Sequence, residues 1–525
     1  MENTINGEKT DEKVPFEVAL DKTGYGAYTY RCTGLAAVAV ISYACVCYNS
    51  TILVPASACD LGTTLGQQGS MVAAPYMAGV VGSVLCGYLS DRHGRWRMLV
   101  VALTSSALVN ALASLSINWL ALLMLQCCSA FLAAGIYPIA MTLLSESVPL
   151  VRRNQTMLVV SSLMMVSQGV MAGMATTKRP VLAIPIIPLT FSYYIPALGI
   201  YWNSWRTLML VYSLPGVIAF LGLYFYVQES PKFILAKGNT DQALRILRII
   251  HRVNKGTDEF QVEGLISDQP HGAGKPSTKD HIVPLFKPPL RKYTLIMTLL
   301  FVIMQFIGGF LIWLPKISNQ FIKLLQTGEG SNMTLCSIIE TSLHSAHGPN
   351  TSASCSLNVT ALLMVLVVSG MQFVSNGILS LAVDRFGRRN SVMVLVTLCG
   401  ASGALVNLVP NAIATAIFFG GFLVGIIVVG AYTAIAVALF PTHLRTLAVA
   451  FTLTGGRLCG FFTIQIVNYL LVHSCRLGFY LFAAVFASSA LVLTLLPDDR
   501  YLNKPRCDDQ AEEGVALKPL VKPPE

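Results

Sequence analysis

The sequence predicts an all-α membrane protein, in which six transmembrane helices, a polar central loop and six further helices follow in order. Three observations carry this. Of the 525 residues 54% are hydrophobic and only 12% charged, with mean hydropathy +0.62, whereas a globular chain carries about 25% charged residues. Apolar runs of bilayer length, roughly 20 residues, recur along nearly the whole chain, and those from Gly69 to Leu89 and from Met98 to Ile117 contain no charged side chain. Between these two runs lies a short charged turn, Gly87-Tyr-Leu-Ser-Asp91-Arg92-His-Gly94-Arg95-Trp96-Arg97, and the pattern returns as Ser380-Leu-Ala-Val-Asp384-Arg385-Phe-Gly387-Arg388-Arg389. One such turn can arise by accident; two at matching places in two halves indicate an internal repeat. Uninterrupted runs such as Ala361 to Val368 are foreign to the dyad alternation of a membrane β-barrel.

Taken in order, residues 1–30 are a polar segment expected on the cytoplasmic side. Phe16, Ala19 and Leu20 fall at helical spacing there, and Gly24 ends the short helix they imply. No cleavable signal peptide precedes the first apolar run, so helix 1 must do the targeting. The first set of six helices occupies 31–227: about Gly34–Leu53, the two flanking the first charged turn, Trp119–Glu146, Met157–Ala175 and Trp205–Val227. The stretch before Ser204, rich in proline and aromatics, reads as an interfacial connection. A cytoplasmic central loop, 228–292, follows, with a surface helix near Asp241–Val253. The second set occupies 293–497: about Tyr293–Leu314, Ala361–Val383, Ser391–Pro410, Ala412–Leu439, Leu447–Val472 and Leu477–Leu496, with a polar outer loop at 315–360. The tail, 498–525, is charged and expected to be disordered.

Charge fixes the expected orientation. With both termini cytoplasmic, the inner loops carry 20 Lys and Arg and the outer loops 5, as the positive-inside rule requires. The net charge of +10 is explained by these loops, and no nucleic-acid module is present. The outer loop carries three Asn-x-Ser/Thr sequons, at Asn332, Asn350 and Asn358, and glycosylation needs luminal exposure. Cys336 and Cys355 share that loop and could form a disulfide in an oxidising compartment or remain thiols. Most other cysteines lie inside apolar runs as small hydrophobes. No metal-ligand spacing occurs and no cofactor is implied.

The repeated Gly-x-x-x-Asp-Arg-x-Gly-Arg-x-Arg turn in a twelve-helix chain resembles the signature of the major facilitator superfamily. More local stretches, Phe16-Glu-x-Ala-x-x-Lys-Thr-Gly-Tyr-Gly, Val54-Pro-Ala-Ser-Ala-Cys59-Asp60-Leu, Ser204-Trp205-Arg206, Glu229-Ser-Pro-Lys-Phe233, Phe440-Pro441-Thr-His-Leu-Arg445 and Gly456-Arg457-Leu, resemble the synaptic vesicle glycoprotein 2-like family, particularly its insect members. That family is related to the organic cation and anion transporters. The resemblance implies two six-helix bundles enclosing a cavity that opens alternately to each side.

It also implies a cytoplasmic gate of Gly87, Asp91, Arg92, Gly94, Arg95 and Glu146, repeated as Asp384, Arg385, Gly387 and Arg388. Physically, Asp91 can accept hydrogen bonds at a helix N-terminus, and Arg92 or Arg95 can pair with Glu146. Setting topology alone is the plainer role for these charges. The second copy is degraded: Ser380 replaces Gly87, which would loosen close packing, and Ala438 stands where the family pattern leads one to expect an acid.

All 26 acidic residues fall in loops, tails or helix ends, and a proton-coupled carrier usually needs an intramembrane carboxylate. Gln126 sits where many superfamily members place an arginine. Arg457 lies inside a helix, where it is costly unless it faces a cavity or partner; it could hold an anionic substrate, snorkel inward or pair with a carbonyl. The other candidates for the cavity are Tyr48, Asn49, Tyr76, Gln168, Gln305, Trp313, Gln372, Asn376 and Tyr432, although buried amides more often serve as packing glue.

The function expected is transport of a small organic solute, anionic if Arg457 binds it, across a plasma or vesicle membrane. The alternative is a vesicle or surface protein that keeps the fold for trafficking or partner binding. No motif of an enzyme stands out.

Overall fold

The computed structural model describes residues 13–176, 192–196, 199–257, 260, 262, 264–266, 283–288, 290–326, 333–345, 359–440 and 445–497. The helices group into the twelve membrane-length units expected, in two bundles of six. In the first bundle these are α2 with α3 (Ala27–Cys47, Ser50–Ser57), α4 (Leu65–His93), α5 (Arg95–Ala113), α6 with α7 (Trp119–Ala133, Ile136–Ser147), α8 (Leu150–Thr176) and α9 (Ser204–Tyr226). A short helix α1 (Phe16–Lys22) precedes them. Two helices of the central segment follow, α10 (Pro231–Ala236) and α11 (Thr240–Lys255). The second bundle holds α12 (Leu290–Gln326), α13 (Leu335–Ser345), α14 (Val359–Phe386), α15 (Arg388–Leu405), α16 with α17 (Ala412–Leu423, Val428–Leu439), α18 (Arg445–His473) and α19 (Cys475–Thr494).

Nine of the units, among the described residues, are long and apolar enough to cross a membrane by composition alone. The remaining units are α8, α15 and α18, the second of which opens on the charged Arg388 and Arg389. Two small sheets, unannounced by the sequence pattern, complete the chain. Strand β1 (Lys13–Pro15) pairs in parallel with β4 (Gly264–Ile266), and β2 (Tyr193–Ile195) pairs antiparallel with β3 (Ile200–Trp202) in the stretch expected to be an interfacial connection.

Several boundaries differ from expectation for identifiable reasons. The first transmembrane unit breaks at Tyr48 and Asn49, the fourth at Ala134 and Gly135, and the tenth through a 3-10 turn at Val424–Ile427. Pro55 lies inside α3 rather than in a loop. The seventh helix runs through Pro315 to Gln326, a dozen residues past its expected end, so much of the supposed outer loop is helix. Proline is tolerated there because neighbouring helices in a membrane bundle re-satisfy the freed backbone groups. The sequons at Asn332, Asn350 and Asn358, and the tail after Pro497, lie outside the described residues.

Each charged turn is set by one glycine. Gly94 (φ +114) ends α4 and starts α5, and Gly387 (φ +82) does the same between α14 and α15. Both backbones sit where a side chain is disfavoured, so the repeat is structural as well as sequential. Gly87 is different. A Cβ there would meet nothing within 4 Å, so the close packing attributed to it is absent in this conformation, and Gly82 against Phe131 and Gly135 against Cys86 make the tight approaches instead.

The expected Cys336–Cys355 pairing is overturned: Cys336 bonds Cys475, with Cα atoms 5.5 Å apart. The reason is that Cys336 lies in α13, which packs on the second bundle beside the start of α19, while Cys355 lies outside the described residues. Cys59 is also disulfide-bonded. Because the bridge closes a separation of 139 residues, Cys336→Ser is expected to lower stability by roughly 2–4 kcal/mol. Thermal melting under oxidising and reducing conditions checks this; reductant should shift the wild type by more than the variant, which keeps the bridge at Cys59.

Candidate functional site

The bundles meet along α4 against α18, α8 against α14 and α3 against α12. Among the described residues, hydrogen bonds between them fall on both sides of the middle of the helices. Tyr76 Oη donates to Gln305 Oε1 at 3.2 Å, Lys316 Nζ to Gln68 Oε1 at 3.3 Å, and Asn376 Nδ2 to Ser162 Oγ at 3.3 Å. Gly69 admits Gln465 and Asn468. Between the bundles lies a cavity of about 210 Å³.

One wall of this cavity is polar and aromatic, with Arg457 amid Tyr43, Tyr48, Tyr76 and Tyr137. The lining also includes the apolar Leu311, Ile312, Ile426 and Val429. Among the described residues no ion pair involves Arg457, and no Asp, Glu or His lines the cavity. A guanidinium held inside the membrane-spanning core without a carboxylate is a standing positive charge facing the space where a solute fits.

Of the ten cavity candidates, six line it: Tyr48, Tyr76, Gln168, Gln305, Gln372 and Arg457. Four do not. Asn49 is buried in the first bundle, where its amide donates to Asn110 Oδ1 at 2.7 Å and accepts from Gln126 at 3.4 Å. Asn110 passes the chain on to Ser213 at 2.9 Å. Trp313 is buried, donating to the Ile464 carbonyl at 3.4 Å with Lys316 over its ring. Tyr432 is fully buried edge-on to Phe301, and Asn376 bridges the bundles. In Asn49, Trp313 and Asn376 the polar group ties packed helices together, as membrane-buried polar groups commonly do, and the Tyr432 ring fills the second bundle. Sequence reasoning missed Tyr43 and Tyr137 as lining residues. Both lie in apolar runs where periodicity singles out no face.

At the charged end, the first turn forms a compact ionic network. Arg95 pairs with Asp91 at 3.2 Å and with Glu146 at 3.4 Å, and packs over Phe233. Ser230 Oγ donates to Glu146. Asp91 does not cap the following helix, as the sequence suggested. Glu229 does, accepting from the Trp96 and Arg97 amides at 2.9 and 3.4 Å, because the positive φ at Gly94 leaves room for its carboxylate. Arg92 offers its carbonyl to Lys237. In the second copy Arg385 is exposed and Arg388 donates to the Ala434 carbonyl at 3.2 Å; the Asp384 side chain lies outside the described residues.

The capping of α5 by Glu229 is one of three alike. Asp21 accepts from the Leu150 amide, the first of α8, at 2.6 Å. Asn254 accepts from the Tyr28 and Thr29 amides in the first turn of α2, at 3.0 and 3.4 Å. Three transmembrane helices of the first bundle thus have orphan N–H groups and positive dipole ends satisfied by side chains from polar segments distant in sequence. Glu17 ties the same segments together, meeting Arg153 at 2.6 Å and Lys232 at 3.0 Å.

Burial opposes the charge of Glu17, but the hydrogen bonds and charges of Arg153 and Lys232 outweigh it and hold its carboxyl below the usual range. A depressed folded pKa contributes stability that is present above the unfolded value and lost as pH falls through the folded one. Hydrogen exchange in residues 13–22 is therefore expected to be slow at neutral pH and to rise only below about pH 4.5. Glu17→Gln should show the faster exchange already at pH 7.

Residues 39–341 match the family model of the Major Facilitator Superfamily. The chain is similar to organic cation/carnitine transporter 7 of Arabidopsis thaliana, at 24% identity over 82% of this chain and 84% of that protein. It is also similar to synaptic vesicle glycoprotein 2B of Rattus norvegicus, at 24% identity over 46% of this chain, a match that spans only 35% of the rat protein. Among solved structures, the xylose transporter XylE from E. coli in a partially occluded inward-open conformation matches with a TM-score of 0.62 and 14% identity, covering 90% of this chain and 99% of that one.

Proposed function

The chain belongs to the Major Facilitator Superfamily, and from that premise we propose that it carries a small organic anion across its membrane by alternating access. It is an integral multi-pass membrane protein and a membrane transporter by family; the sign of the solute is the finer step. The single observation behind that step is Arg457, facing the cavity amid four tyrosines with no acidic neighbour among the described residues. The plant relative is named for organic cations and carnitine. A cavity with one guanidinium and no carboxylate repels a simple organic cation, so this chain takes the opposite charge.

Coupling to protons through an intramembrane carboxylate is not part of this reading. The buried polar chain of the first bundle, Asn49, Asn110, Gln126 and Ser213, is uncharged, and the cavity lining offers nothing that titrates near neutral pH. The network of Asp91, Arg95 and Glu146 acts as the inner gate, closing when the charged ends of the bundles approach. Both termini and the charged turns face the cytoplasm, supported by the excess of Lys and Arg in those loops.

The test is uptake into proteoliposomes of matched organic anions, organic cations and sugars, with and without an imposed pH gradient. Anion uptake insensitive to the gradient is expected. Cation uptake would overturn the anionic reading. No flux for any class would favour the alternative, a protein that keeps the fold for trafficking or partner binding.

A further inference from the structure

Helix α11 has two unlike faces. Leu244, Leu247 and Ile250 are buried against the base of the first bundle, while Arg245, Arg248, Arg252 and Lys255 are exposed. The basic residues are spaced by three, four and three, which places them in one stripe about 15 Å long at 1.5 Å per residue. Asp241, in the first turn, is the only acid of the helix. Among the described residues Arg245, Arg248 and Lys255 make no ion pair. A basic face on a surface helix is most often merely solvated. Here its position says more.

The C-terminal end of α11 is fixed at the start of the first transmembrane unit. Asn254 accepts from the Tyr28 amide at 3.0 Å and donates to the Gly24 carbonyl at 2.8 Å. The ring of His251 lies 3.3 Å from the Lys22 carbonyl, and the backbone of Asn254 packs on Gly26, where no side chain would fit. Tyr30 is exposed only two residues beyond Tyr28, about 3 Å further along the axis. Tyr224, Phe225 and Tyr226 are exposed at the facing end of α9, with Arg31 over the Tyr226 ring at 5.7 Å. Exposed aromatics at helix ends mark the headgroup level of a bilayer. The basic stripe therefore ends at the membrane surface, and charge complementarity selects its occupant.

We propose that the exposed face of α11, Arg245, Arg248, Arg252 and Lys255, docks anionic phospholipid headgroups, phosphoinositides foremost, of the leaflet that covers the charged end of the protein. The Lys255 end of the stripe lies at headgroup depth, and the basic side chains that follow from it along one face are drawn to a negative leaflet and to polyphosphorylated headgroups in particular. Because α11 also holds the cap on α2, a bound headgroup bears on the first bundle without touching the cavity. The proposal needs the membrane-spanning fold and no particular solute.

The test uses the full chain purified in detergent and measures melting midpoints, not flux, so its failure leaves the transport reading untouched. Dioctanoyl phosphatidylinositol 4,5-bisphosphate is expected to raise the midpoint saturably and to lose its effect as salt rises, while dioctanoyl phosphatidylcholine does nothing. Arg245→Gln with Arg248→Gln should weaken the apparent affinity about 25-fold, from about fivefold per surface charge removed. Arg245→Lys with Arg248→Lys should keep it. If the double Gln variant melts lower by itself, the two single variants read the same loss, about fivefold each. Equal lipid affinity in wild type and Gln variants would overturn the proposal, as would inositol trisphosphate binding as tightly as the lipid.

Discussion

Replacing Arg457 by Gln is expected to cut anion uptake about 100-fold, with the melting midpoint of the empty protein unchanged or raised. The size follows from removing one partner of a desolvated charge pair, about 3 kcal/mol. The direction on stability follows from the absence of any acidic partner in the cavity: without solute the guanidinium is an uncompensated charge, and its removal relieves the protein. Stability and activity should therefore move apart, which a purely structural arginine would not produce. Arg457→Lys keeps the charge but not the planar fork, so partial uptake is expected from it. Unchanged uptake in Arg457→Gln would sink the anion reading.

Arg206→Ala is expected to destabilise the first bundle by about 3 kcal/mol. The guanidinium is 2% exposed and donates to the last carbonyl groups after α5, Ser114 at 2.7 Å and Ser116 at 2.8 Å. It also pairs with Asp60 at 3.6 Å and lies over the Trp205 ring at 4.3 Å. Its loss leaves helix-end carbonyls without that donor and Asp60, among the described residues, with the Trp205 indole at 3.1 Å. Trp205→Phe removes that single bond and should cost about 1 kcal/mol. Melting of the two variants in one detergent gives the comparison; an Arg206→Ala midpoint at or above that of Trp205→Phe would refute the account.

Much of this architecture is legible in the residues because membranes restrict the choices. Charge-free runs of bilayer length become helices, as α4, α5 and α9 do, and a glycine between two such runs becomes a turn, as at Gly94 and Gly387. What the sequence hides is set by distant contacts. Tyr43 and Tyr137 line the cavity through the way their helices are turned in the bundle, which no local pattern encodes. The helical extension beyond Leu314 is amphipathic rather than apolar, so it reads as loop. Asp91 looks like the natural cap for α5, whereas Glu229, more than a hundred residues later, does the capping because α10 folds back beneath the bundle. Arg457, by contrast, is conspicuous in sequence for the same reason it is informative in structure: a lone charge in a helix needs an account.

The three borrowed caps have a consequence for how the chain is made. Helices α2, α5 and α8 emerge from the ribosome well before Asn254 and Glu229, the residues that complete two of them, whereas Asp21 is already present when α8 appears. The third helix end is finished during synthesis, but α5 waits for Glu229, just past α9, and α2 waits for Asn254, at the end of α11. A nascent chain released after α9 would carry every membrane span of the first half and still present two open helix ends at the bilayer surface. The point of commitment for that half therefore falls near Asn254, beyond its last span, and a messenger truncated at the bundle boundary encodes an incomplete unit.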